Sequence, residues 1–126
     1  MNMLNSAFDI KTAGLFSALG SPFRIRILME IGEGEACVCH LESVLKKRQA
    51  YISQHLMALR EAEILETRRD GKYVFYRLAN PEILDFIRDA SRLAGLDDLQ
   101  LSSTIVPAHM DHCDCPICRA KAENAE

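Results

Sequence analysis

The chain has 126 residues, 48% of them hydrophobic and 26% charged, with a formal net charge of −3. This is the size and composition of one globular domain, and it excludes a disordered chain and a generally basic binder of polyanions. No apolar run reaches the ~18 residues that span a bilayer, and residues 1–6 lack the basic segment of a secretory leader, so the expectation is a cytoplasmic protein with no membrane partner. Disulfides are rare in that compartment, so the five cysteines read as ligands or reactive thiols.

The first predicted helix covers about 5–19, with Leu4, Phe8, Leu15 and Leu19 at helical spacing and Gly20 to stop it. Ser21-Pro22 opens a second: a serine N-cap, then proline at the first helical position. Phe23, Ile27 and Ile31 give it an apolar face, and Gly32 and Gly34 end it. A short third helix covers 38–46 and turns Leu41, Val44 and Leu45 inward. A fourth covers 49–62, with Ile52, Leu56 and Leu59 as a narrow core-facing stripe. The period then changes. Segments 64–69 and 72–78 flank Asp70-Gly71, a signal for a two-residue hairpin turn. Asn80-Pro81 opens a last helix to about 94, in which Ile83, Ile87, Ala90 and Ala94 form a stripe that Phe86 and Leu93 widen. Beyond Gly95 the pattern weakens. The expected organisation is a domain over 1–94, then a linker and cysteine-rich tail over 95–126.

Two short helices joined by a tight turn and followed by a hairpin are the parts of a winged helix-turn-helix. The fold is thus mainly α with a small β-hairpin, about five helices plus a wing. The second helix of the pair must enter the DNA major groove, and its outward face needs hydrogen-bonding side chains. Gln49, Tyr51, Ser53, Gln54 and His55 stand off the apolar stripe there. Lys46, Lys47 and Arg48 precede the helix, and Arg68, Arg69 and Lys72 surround the hairpin tip. Phosphate contacts from such residues give affinity and salt dependence. Alone, the Lys46-Lys47-Arg48 run reads as a solvated surface. Its coincidence with a helix pair and a basic tip, inside an acidic chain, reads as an operator-binding face for double-stranded DNA.

Three stretches also resemble the ArsR/SmtB family of metal-sensing repressors. Residues 52–62 (ISQHLMALREA) look like that family's recognition helix, 68–78 (RRDGKYVFYRL) its wing, and 21–28 (SPFRIRIL) the opening of its second helix. The resemblance covers about 8–94. It implies a homodimer, joined through the first and last helices, that leaves its operator when an inducer binds. The broad apolar face of the last helix agrees with that pairing. Two departures stand out: Glu63 occupies a position usually held by glycine, and Arg48 replaces the usual polar cap.

Cys37-Val38-Cys39-His40 starts the third helix, and a helix N-terminus favours thiolate. Residues i and i+2 of a regular helix diverge, so joint ligation by Cys37 and Cys39 is expected to unwind that turn. The stretch 36–41 resembles the family's arsenic, cadmium and lead box. Glu42 stands where the arsenic sensors often carry a third cysteine. No histidine lies between 64 and 106, which argues against the family's zinc site on the last helix. The tail offers Cys113, Cys115 and Cys118, with His40, His109 and His112 as candidate further ligands. About 18 residues separate Ala94 from Cys113, an extended reach of up to about 60 Å. The tail can therefore form its own site, complete that of Cys37 and Cys39, or carry no defined site. Sulfur ligation favours arsenic(III) or antimony(III), with cadmium(II) or lead(II) as alternatives. A thiol redox switch on the same fold is a second reading. An enzyme such as a small arsenate reductase is disfavoured, because no anion-binding loop accompanies the cysteines.

Overall fold

Serine starts both of the first two helices. The computed structural model describes residues 6–97 and runs α1 (Ala7–Leu19), α2 (Pro22–Ile31), β1 (Glu35–Cys37), α3 (Val38–Leu45), α4 (Gln49–Glu61), β2 (Leu65–Asp70), β3 (Tyr73–Leu78) and α5 (Glu82–Leu93). Ser6 Oγ accepts from the Asp9 N–H at 3.2 Å, and Ser21 Oγ accepts from the Arg24 N–H at 3.4 Å. Each bond satisfies a backbone donor that a helix leaves orphaned at its start. Pro22 follows Ser21 inside α2, as the sequence predicts. At the start of α5, Asn80 Oδ1 takes the Glu82 N–H at 3.0 Å.

Ile27 and Leu28 of α2, Leu41 of α3, and Ile52, Leu56 and Leu59 of α4 are fully buried together. Burial of each such side chain contributes roughly 1.5–3 kcal/mol. The helix-turn-helix pair α3–α4 is therefore held by its own apolar stripes. The stripe expected on α5 divides in two. Leu84 and Ile87 are buried in the core and Ile83 packs beside them, while Phe86, Ala90 and Leu93 face outward.

The predicted hairpin is a three-stranded antiparallel sheet, in the order β1-β3-β2. The added strand, β1, pairs Glu35 with Arg77, Ala36 with Tyr76 and Cys37 with Phe75. The turn also moves by one residue. Asp70 pairs with Tyr73, so Gly71 and Lys72 form the connection instead of Asp70-Gly71. Gly71 has φ +60°, and a glycine at the first turn position suits a type II′ hairpin. Both sequence departures have visible consequences. Arg48 is the N-cap of α4 and makes no side-chain cap bond, and Glu63 holds φ +61° where glycine is unstrained. Among the described residues, no helix is long and apolar enough to cross a membrane.

Candidate nucleic-acid interface and thiol pair

The α3–α4 turn holds Lys46 in a left-handed conformation, φ +57° and ψ +42°, and exposes Lys46, Lys47 and Arg48 together. Gln49 and Gln54 are exposed on α4, and Ser53 is half-buried. Ala50, Gln54, Met57 and Glu61 follow at i, i+4, i+7 and i+11, so the outward stripe is more apolar than the polar candidates suggest. Met57 is 62% exposed. Its position off the Ile52–Leu56–Leu59 stripe is legible in the sequence, but it brings no donor or acceptor to a base edge.

Tyr51 and His55 also pack against α2. The His55 ring lies 5.0 Å from Phe23 and 4.8 Å from Tyr51, and Phe23 lies 4.9 Å from Tyr51. Arg24 Nε donates to His55 Nδ1 at 3.1 Å, and its Nη1 donates to the Ala18 carbonyl at 3.4 Å. One arginine thus joins the end of α1 and the start of α2 to the recognition helix. Burial first, and the Arg24 charge second, lower the His55 pKa, which favours the neutral ring that accepts this bond. Lys47 Nζ sits 5.7 Å from the Tyr51 ring centroid, so Tyr51 also props a basic side chain. His55 is a packing residue of the α2–α4 joint. Nothing local in the sequence marks Arg24 as its partner, 31 positions away.

On the wing, Arg69 and Lys72 are exposed, and Lys72 Nζ lies 5.4 Å from the Tyr73 ring centroid. Arg68 is turned inward. Its Nε donates to Glu35 Oε2 at 2.8 Å and its Cζ lies 4.8 Å from the Phe75 ring centroid. The bond to Glu35 raises its pKa further, so it is a permanent cation. Neither Glu35 nor Phe75 carries a sequence signal for this role, because both act through the unpredicted strand.

The thiol pair departs from the helical expectation. Cys37 ends β1 in an extended conformation, φ −85° and ψ 163°, and is the N-cap of α3. Its Sγ accepts from the His40 N–H at 3.3 Å. Because Cys37 lies outside the helix, Cys37 Sγ and Cys39 Sγ are 2.6 Å apart on one side of the turn. The pair can therefore face one ion without unwinding of the turn, once the sulfurs part to the wider spacing that two metal–sulfur bonds impose. Cys37 is buried and Cys39 half-buried. His40 is buried as well, with Nε2 3.7 Å from Glu30 Oε1 of α2. Among the described residues, no three His, Cys, Asp or Glu side chains gather into a metal site. The donor chemistry at Cys37 and Cys39 fits two legs of a sulfur-ligated ion. His109, His112, Cys113, Cys115 and Cys118 lie outside the described residues.

Comparison with known proteins agrees with this geometry. The family model for bacterial regulatory proteins of the arsR family matches residues 21–67. An uncharacterised helix-turn-helix-type transcriptional regulator from Methanocaldococcus jannaschii is 38% identical over 79 residues, which is 62% of this chain and 89% of that protein. The arsenic resistance transcriptional regulator ArsR1 of Pseudomonas putida is 45% identical over 74 residues, or 58% of this chain. The chain spans 57% of that regulator's length. A solution structure of a homodimeric winged helix-turn-helix domain from Mycobacterium bovis superposes with a TM-score of 0.67 at 23% identity, over 89% of this chain and 97% of that one.

Proposed function

The chain belongs to the ArsR family of bacterial regulatory proteins, a family of transcriptional regulators and not of enzymes, and from that premise we propose that it is a homodimeric repressor released from its operator by a thiophilic ion, arsenite or antimonite foremost. The observation that carries the sensing half is the 2.6 Å approach of Cys37 Sγ to Cys39 Sγ at a helix start. The third sulfur comes from Cys113, Cys115 or Cys118. In that capture each thiol gives its proton to a departing hydroxide of arsenous acid, so three As–S bonds replace three As–O bonds and three waters leave. No electron changes hands. Cadmium(II) and lead(II) suit the same sulfurs.

The DNA half rests on the outward faces of α4 and the wing. Lys46, Lys47, Arg48, Arg69 and Lys72 contact phosphates, while Gln49, Ser53 and Gln54 meet base edges. Met57 adds an apolar contact suited to a thymine methyl. The dimer is supported by the outward apolar residues of α1 and α5, where Phe16 and Phe86 rings lie 5.9 Å apart.

The sulfur contact also favours a second reading, in which a peroxide oxidises the two thiols to a disulfide and is itself reduced to water. One experiment separates the two. The full chain, under reducing conditions, is titrated with arsenite while operator release and thiolate-to-arsenic absorption are followed. Stoichiometric absorption that parallels release, and that Cys37→Ser abolishes, supports the ion reading. Release by peroxide alone, with a mass loss of two hydrogen atoms and no response to arsenite, replaces it with the redox reading.

A further inference from the structure

We infer that Arg68 is a positioning residue that couples the Cys37–Cys39 pair to the wing, so that ligation of the pair re-aims the wing and does not act through α3 alone. The inference rests on the reading of that pair as the sensing site. Its basis is one cross-strand row. Cys37 of β1 stands opposite Phe75 of β3, and Phe75 stands opposite Arg68 of β2. Directly opposed residues share a face of a sheet, so the three side chains form a continuous line across it.

The line is packed at one end and clamped at the other. Cys37 and Phe75 make a buried cluster of their own, separate from the main core, against which Cys39 and Tyr73 pack. The Arg68 guanidinium then covers the Phe75 ring at 4.8 Å and reaches over β3 to Glu35, two residues before Cys37 on β1. Residues i and i+2 of a strand point the same way, so Glu35 and Cys37 move together. Phe75 is fully buried, and close-packed side chains transmit a displacement instead of absorbing it. A shift of the Cys37 sulfur toward a bound ion is thus delivered through Phe75 and Glu35 to Arg68. Arg69 and Lys72 are one and four positions further along the wing.

Arg68 is suited to this link and lysine is not. A planar guanidinium stacks on the ring while its Nε holds the carboxylate, and an ammonium cannot do both. The Arg68 and Glu35 side chains are 40% and 24% exposed. Such a pair adds little to stability, so its loss leaves the fold intact.

The test uses the full chain, an operator fragment obtained by selection from random duplexes, and arsenite as the probe. Operator affinity, thiolate-to-arsenic absorption and amide exchange over residues 65–78 are measured in the wild type, Glu35→Gln and Arg68→Lys. The wild type is expected to lose operator affinity by about tenfold or more with arsenite, with altered exchange across the wing. Glu35→Gln keeps its arsenite-free affinity within about threefold and its absorption band unchanged, yet its arsenite response shrinks to about threefold or less. Arg68→Lys shows the same loss of response. Full release in both variants, or release in the wild type with unaltered wing exchange, overturns the inference. Absence of an absorption band in the wild type overturns it together with the sensing reading, and the band itself distinguishes that outcome.

Discussion

His55 shows how one side chain of α4 is tied into the helix behind it. Its position on α4 suggests a DNA-facing or a packing role, and Arg24 of α2 and the rings of Phe23 and Tyr51 lie against it. The consequence is a pH dependence of stability. The folded pKa lies below the ordinary 6.5, so the unfolded chain takes up a proton before the folded one does as pH falls. Stability from the Arg24–His55 bond is therefore complete above pH 6.5 and declines below it. The expected outcome is a falling urea midpoint between pH 7 and 5.5, with a shallower fall in His55→Gln, whose carbonyl accepts the bond without titrating. Equal slopes in the two proteins contradict the assignment. The sequence held the aromatic and basic residues of this cluster but no sign that they meet, since contact across two helices is a property of packing and not of spacing.

At the level of elements, the signals that were legible are local ones. The Ser21-Pro22 start, the Ile52–Leu56–Leu59 stripe and the glycine at the wing turn each act within a few residues, and each appears where expected or one residue away. Strand β1 was not legible. It is three residues long, and its pairing partners Phe75, Tyr76 and Arg77 lie some forty positions later. That omission produced the error at the cysteines: with no strand before α3, Cys37 reads as helical and its sulfur as facing away from Cys39. The end of α4 supports a further prediction. Glu63 pays for φ +61° without a glycine's freedom, and the left-handed conformation costs other residues about 1–2 kcal/mol. Part of this is offset by the greater freedom of glycine in the unfolded chain. Glu63→Gly is expected to raise unfolding free energy by about 0.5–1 kcal/mol at unchanged urea m-value; a lower midpoint would contradict the strain.

For the whole molecule, the monomer leaves apolar surface that its own core does not use. Phe8 is 77% exposed, Phe16 58% and Leu93 91%, and Phe16 touches Phe86 across the α1–α5 boundary. A second copy covering this surface, as proposed above, would set two recognition helices at a fixed separation, which is what a palindromic operator requires. Phe16→Ser is expected to leave the circular dichroism of the fold unchanged and to weaken self-association at least about tenfold, in line with an exposed aromatic removed from an interface. Sedimentation equilibrium measures the association, and operator affinity should fall with it. A dimer of undiminished strength places the interface elsewhere.

The strand order has one more consequence, for solubility. β3 is central and has no open edge, while β1 is too short to template a neighbour and runs directly into α3. The remaining edge, β2, carries Glu66, Arg68, Arg69 and Asp70. A second wing laid against it would have to strip water from these charges, which disfavours strand-to-strand aggregation. The charged edge of the wing thus also keeps one wing from pairing with another.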